Sequence, residues 1–118
     1  MQEQESRLWH VTVTVAGDGH DPEVVREAMT RLLDERPFLH ALRFSGDRAE
    51  IRYWEEAPDM LDAASLALRL WDEHRESAAL PCWEVVGLEV VEREAFQRRG
   101  HEPLPVSIGA HHPAPQPF

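Results

Sequence analysis

The 118 residues leave room for one domain, and a 42% hydrophobic content is enough to build one core. A formal charge of −10, from 22 carboxylates against 12 cations, argues against nucleic acid, whose binding draws on clustered Lys and Arg that release counterions from phosphate. A single cysteine, Cys82, excludes an intrachain disulfide, and no apolar run approaches the roughly 18 residues of a membrane-spanning helix.

Residues 1–7 lack the basic start and apolar segment of a secretory signal, so a flexible N-terminus on a cytoplasmic protein is expected. Every cation is Arg, and Lys and Asn, both with A/T-rich codons, are absent, which points to a high-GC bacterial genome. Residues 8–16 alternate and are β-branched, the pattern of a half-buried strand. Trp9, Val11, Val13 and Val15 share one face; His10, Thr12 and Thr14 share the other. After the polar loop 17–20, Asp21 and Pro22 read as N-cap and first helical residue. Val25, Ala28, Met29, Leu32 and Leu33 then recur at helical spacing over 22–35.

A hairpin follows, with strands 39–45 and 48–55 around the turn Gly46-Asp47. Its inward set is Leu42, Phe44, Ala49, Ile51 and Tyr53; Arg43, Glu50, Arg52 and Trp54 lie opposite. A second helix is expected from Pro58-Asp59 to about Ala79, with a wide apolar stripe of Leu61, Ala64, Leu68 and Trp71 and, beside them, Ala63, Ala67 and Leu70. Residues 83–92 form the last strand, with Val86, Leu88 and Val90 inward. The stretch 100–118 is proline-rich and aperiodic, and reads as a disordered tail beyond a domain of residues 8–99.

Strand, helix, hairpin, helix, strand is a βαββαβ order. Burying one stripe per helix and one face per strand gives two layers, and right-handed crossovers give the sheet order 4-1-3-2. That is an α+β ferredoxin-like sandwich with both helices on one face. Leu68 and Val86 are expected in its core with Val11, Val13, Val15, Leu32 and Ile51. The fold hosts unrelated functions and assigns none.

The open sheet face is the most informative surface. It should display His10, Thr12, Thr14, Arg43, Arg52, Trp54, Trp83, Val85 and Gly87, with Gly87 leaving a notch between two tryptophans. So many apolar groups should not stay wet. A second copy of the chain is the expected cover, because twofold homodimers are common and their interfaces favour aromatics and Arg. A small-ligand pocket beside His10, Arg52 and Trp54 is the sharper alternative. It would make the chain a small cofactor-independent enzyme of the dimeric α+β-barrel type, with His10 as acid or base. A third reading has the Pro-rich tail docking on a protein partner.

No nucleophile elbow, phosphate loop, HExxH or CxxC occurs, so neither a cofactor nor a catalytic set is expected. Asp18, His20, Asp47 and Cys82 fall at one end of the sheet and are the nearest approach to a metal set, but their spacing matches no ligand motif. Cys82, between Pro81 and Trp83, reads as a small buried residue. A non-enzymatic binding or regulatory module, dimeric through its sheet face, is the leading expectation.

Overall fold

A computed structural model describes residues 6–37, 39–98 and 114–118. In chain order the elements are β1 (Arg7–Ala16), α1 (Pro22–Glu35), β2 (Leu39–Phe44), β3 (Arg48–Ala57), α2 (Met60–His74), β4 (Glu84–Glu92), α3 (Arg93–Arg98) and β5 (Gln116–Pro117). The sheet runs β4-β1-β3-β2-β5, antiparallel except where β5 joins β2 in parallel. The α+β class holds. The four-stranded ferredoxin-like sandwich does not describe this sheet, which carries a fifth strand on its β2 side and a third helix after β4.

Local chemistry sets the helix starts. The Asp21 carboxylate accepts the Glu23 N–H at 2.8 Å ahead of Pro22, and Asp59 accepts the Asp62 N–H at 2.9 Å. Val25, Ala28, Met29, Leu32 and Leu33 of α1 are buried, as are Ala63, Ala67, Leu70 and Trp71 of α2. They close on Val11, Val13, Val15, Ile51 and Tyr53, which the sheet buries completely. Three buried indoles each donate to a carbonyl: Trp9 to Ala57 at 3.0 Å, Trp71 to Pro81 at 3.1 Å and Trp83 to Asp18 at 2.8 Å.

Two core expectations fail. Leu68 is 49% exposed and Val86 is 63% exposed. Of the wide stripe expected on α2, the side 63-67-70-71 is buried and the side of Leu61 and Leu68 is not. The two alanines, Ala63 and Ala67, are completely buried, while the leucines of the neighbouring row, Leu61 and Leu68, stay outside. Val86 is displaced by a bulge: β1 pairs Thr14 with Gly87 but Val15 with Val85, so Val86 has no opposite number. From that point to its start, β4 runs out of phase with simple alternation.

The helix expected to reach Ala79 ends at His74 and continues as turns. The Leu80 N–H bonds the Arg75 carbonyl at 2.9 Å around Ala79, whose φ is +53°. Of the expected tail, 100–113 lies outside the described residues. Its last residues are ordered against the sheet: Gln116 and Pro117 pair with Arg43 and Phe44, and the Phe118 N–H donates to the Phe44 carbonyl at 2.9 Å. Two strand residues and one ring carry no periodicity, so alternation could not announce them.

Candidate functional site

Alternation along β1 and β3 lays the outward residues of the sheet in cross-strand rows. His10 stands between Val91 and Trp54, Thr12 between Glu89 and Arg52, and Thr14 between Gly87 and Glu50; Arg52 and Glu50 face Ala41 and Arg43 on β2. The first row is aromatic and the other two are polar.

The aromatic row is covered by the chain itself. α3 turns back from β4 and places the Phe96 ring 3.9 Å from His10, nearly parallel to it, and edge-on to Trp54 at 5.1 Å. Trp54 in turn meets His10 edge-on at 5.1 Å. His10 is left 1% exposed, with Phe96 and Val91 also buried. Sequence reading missed Phe96. The available signal was a helix-compatible run, Arg93 to Arg98, with an acid in its first turn, an Arg in its last and one aromatic between. In the polar rows, Arg52 donates from Nε to Glu50 Oε1 at 3.1 Å.

Trp83 and Val85 are not on this face. Trp83 is buried on the helix side, stacked on Trp71 at 6.0 Å with a 6° interplanar angle, and Val85 packs partly against the same core. A β-carbon on Gly17 would collide with the Trp83 ring, so the loop after β1 can cross the indole only with glycine there. The notch expected between Trp54 and Trp83 is therefore absent, because the bulge turns the start of β4 over.

Asp18, His20, Asp47 and Cys82 do not converge as ligands. Loop 17–20 and turn 46–47 are locked by backbone bonds, Gly17 N–H to Asp47 O at 3.1 Å and His20 N–H to Gly46 O at 2.7 Å. The Asp47 carboxylate accepts the Ser45 hydroxyl at 2.9 Å, while the His20 ring lies 6.0 Å from Trp83. Among the described residues no group of three or more His, Cys, Asp or Glu side chains could hold a metal ion. Cys82 is exposed rather than buried.

Between the two large helices, Glu35 Oε1 accepts from the Ser77 hydroxyl and pairs with His74 Nδ1, both at 2.6 Å. The hydrogen bond from Ser77, then that with His74, holds the Glu35 carboxyl below the usual carboxylate range. Serine and histidine meet the carboxylate and not each other, which makes this a clamp between helix ends rather than a nucleophilic relay. Burial pushes Glu55 up, and burial pushes the enclosed Tyr53 hydroxyl well above its ordinary value.

Exposed apolar side chains gather elsewhere. Leu61 and Leu68 of α2 and Val86 and Leu88 of β4 are 78%, 49%, 63% and 37% exposed. Leu68, Arg75, Cys82, Glu84 and Val85 help to line one groove of about 400 Å³ between α2 and the start of β4. β4 is the last strand of the sheet on that side.

Among the described residues no helix is long and apolar enough to cross a membrane. A protein-family model described as a domain of unknown function, DUF8830, matches residues 8–105. A comparison with curated proteins finds no match.

Proposed function

The chain belongs to the DUF8830 family, and we propose that it is a small cytoplasmic binding module that works as a homodimer through its β4–α2 side. The β4-β1-β3-β2 part of its sheet is read as a ferredoxin-like core extended by β5. One observation carries the proposal: five of the seven exposed large apolar side chains among the described residues, Met60, Leu61, Leu68, Val86 and Leu88, belong to a terminal strand and the helix packed beside it, while the aromatic row of the open face is under Phe96. Apolar side chains left exposed beside a terminal strand favour association, and that strand offers main-chain hydrogen bonds to another strand. A twofold interface must be self-complementary, and this side supplies both signs, Arg75 with Asp72 and Glu84, in the groove beside its exposed apolar groups. A second copy of β4 is thus the proposed cover. An enzyme using His10 is the less supported reading, because a general base must reach its substrate and His10 is enclosed between Phe96 and Trp54.

Sedimentation velocity at micromolar concentration tests this. The wild-type chain should run as a dimer, and the pair Leu68→Asp with Val86→Arg as a monomer with an unchanged far-ultraviolet spectrum, since both side chains are exposed in the monomer. A monomeric wild type, or a double variant that stays dimeric, would remove the β4–α2 side from consideration.

A further inference from the structure

The opposite edge of the sheet is already occupied. Gln116 and Pro117 run parallel to Arg43 and Phe44 of β2, and the Phe118 N–H closes the ladder on the Phe44 carbonyl at 2.9 Å. The Phe118 ring lies under two guanidinium groups, 5.4 Å from Arg43 and 4.9 Å from Arg48. Arg26 lies over Phe44 at 5.1 Å, so three arginines and two aromatic rings share this corner of a protein whose net charge is −10. The ion pairs among the described residues join Arg26 to Glu23, Arg52 to Glu50, Arg69 to Glu73 and His74 to Glu35; none uses Arg43 or Arg48. Among the described residues the two cations touching Phe118 therefore form no ion pair, in a chain rich in carboxylates.

We propose that the β2 edge is a strand-addition groove for an extended segment of another protein, bearing an aromatic residue next to carboxylates, and that residues 114–118 are its resident competitor. Main-chain bonds to an edge strand supply affinity without regard to sequence, and the pocket for one side chain supplies selection. Here the pocket is the pair Arg43 and Arg48, which accepts a ring by its face. The resident segment satisfies the ring requirement but brings no acidic side chain, since 114–118 reads Ala-Pro-Gln-Pro-Phe, and among the described residues no ion pair joins its terminal carboxylate to either arginine. A partner with Asp or Glu beside its aromatic residue would supply both ring and charge, with charge-assisted hydrogen bonds to arginine. The resident ladder covers only two strand residues and leaves Phe118 44% exposed, so it is easily displaced. Its hold comes from being tethered, which gives a weak contact a high effective concentration. This site lies at the far side of the sheet from β4 and does not depend on the dimer proposed there.

The test is fluorescence anisotropy on the full chain with three labelled peptides, each amidated at its C-terminus so that side chains alone differ in charge: Ala-Pro-Gln-Pro-Phe, Ala-Pro-Glu-Pro-Phe and Ala-Pro-Gln-Pro-Ala. The variant Phe118→Ala loosens the resident segment and should bind the first peptide about threefold or more tighter than wild type does, the size of one exposed cation–π contact. The glutamate peptide should bind tighter still and the alanine-ended one least. Adding Arg43→Gln and Arg48→Gln to Phe118→Ala should erase the differences among the peptides; both arginines are exposed, so folding is preserved. The proposal is overturned if Phe118→Ala binds no tighter than wild type, or if the alanine-ended peptide binds as well as the others. It is also overturned if no peptide binds but Phe118→Ala lowers the oligomeric state, because the groove would then take the same segment of a second copy.

Discussion

Ala79 holds a conformation that suits it poorly. With φ at +53° it sits where a β-carbon crowds the backbone, and the surrounding bonds fix it there: Leu80 N–H to Arg75 O at 2.9 Å, and Arg31 Nε to Ala78 O at 2.6 Å from the neighbouring helix. Glycine is the residue that ends helices in this geometry. Ala79→Gly should therefore raise stability by roughly 0.5–1 kcal/mol, the relief of left-handed strain less the extra chain entropy of glycine. Urea unfolding measures it, and a loss of stability would mean that the Ala79 methyl packs more usefully than its exposure suggests. At this scale the sequence was legible where side chains alternate without interruption. His10, Thr12, Trp54 and Arg52 are outward neighbours as expected. Trp83 and Val85 were misplaced by the same rule, because one extra residue at Val86 reverses the phase and no residue type there announces a bulge.

Elements were easier to find than to orient. The capped start of α1, its span and the hairpin after it follow from Asp21-Pro22 and Ser45 to Arg48. The orientation of α2 does not follow, since its wide apolar stripe spans adjoining rows and only the row of Ala63, Ala67, Leu70 and Trp71 is buried. α3 was missed altogether because six residues are too few to show a period, yet it determines the fate of the open face. Phe96 is 6% exposed and stacks on both His10 and Trp54, so its ring is the main apolar group by which α3 is held. Phe96→Ala should cost about 2–4 kcal/mol, toward the low end of the range for large-to-small substitutions because a terminal element can collapse onto the gap. The same variant should bring Trp54 into water, shifting tryptophan emission to the red. A blue or unchanged spectrum with full stability would show that α3 does not roof the face.

For the whole molecule, the two edges of the sheet differ in charge, and salt should separate them. Two copies meeting at β4 would each carry a net charge of −10, with Glu84, Glu89 and Glu92 on the strand itself, so the proposed association would work against mutual repulsion. In the proposed dimer the contact would be held by apolar groups, Leu61, Leu68, Val86 and Leu88, which salt does not weaken. The screening length falls from about 10 Å at 0.1 M to about 3 Å at 1 M ionic strength, which removes most of the repulsion between exposed charges. The proposed dimer should therefore tighten between 0.1 and 1 M NaCl, by about threefold or more in Kd for roughly 0.7 kcal/mol of screened repulsion. At the β2 edge the sign is opposite. Arg43 and Arg48 attract an acidic segment, and the same change of salt should weaken capture of the glutamate peptide more than that of the glutamine peptide. Sedimentation equilibrium and anisotropy at the two salt concentrations read both effects on one protein. A dimer that loosens in salt would assign the interface to ion pairs such as those of Arg75 and Glu84, and would take it away from the leucines and valines exposed along α2 and β4.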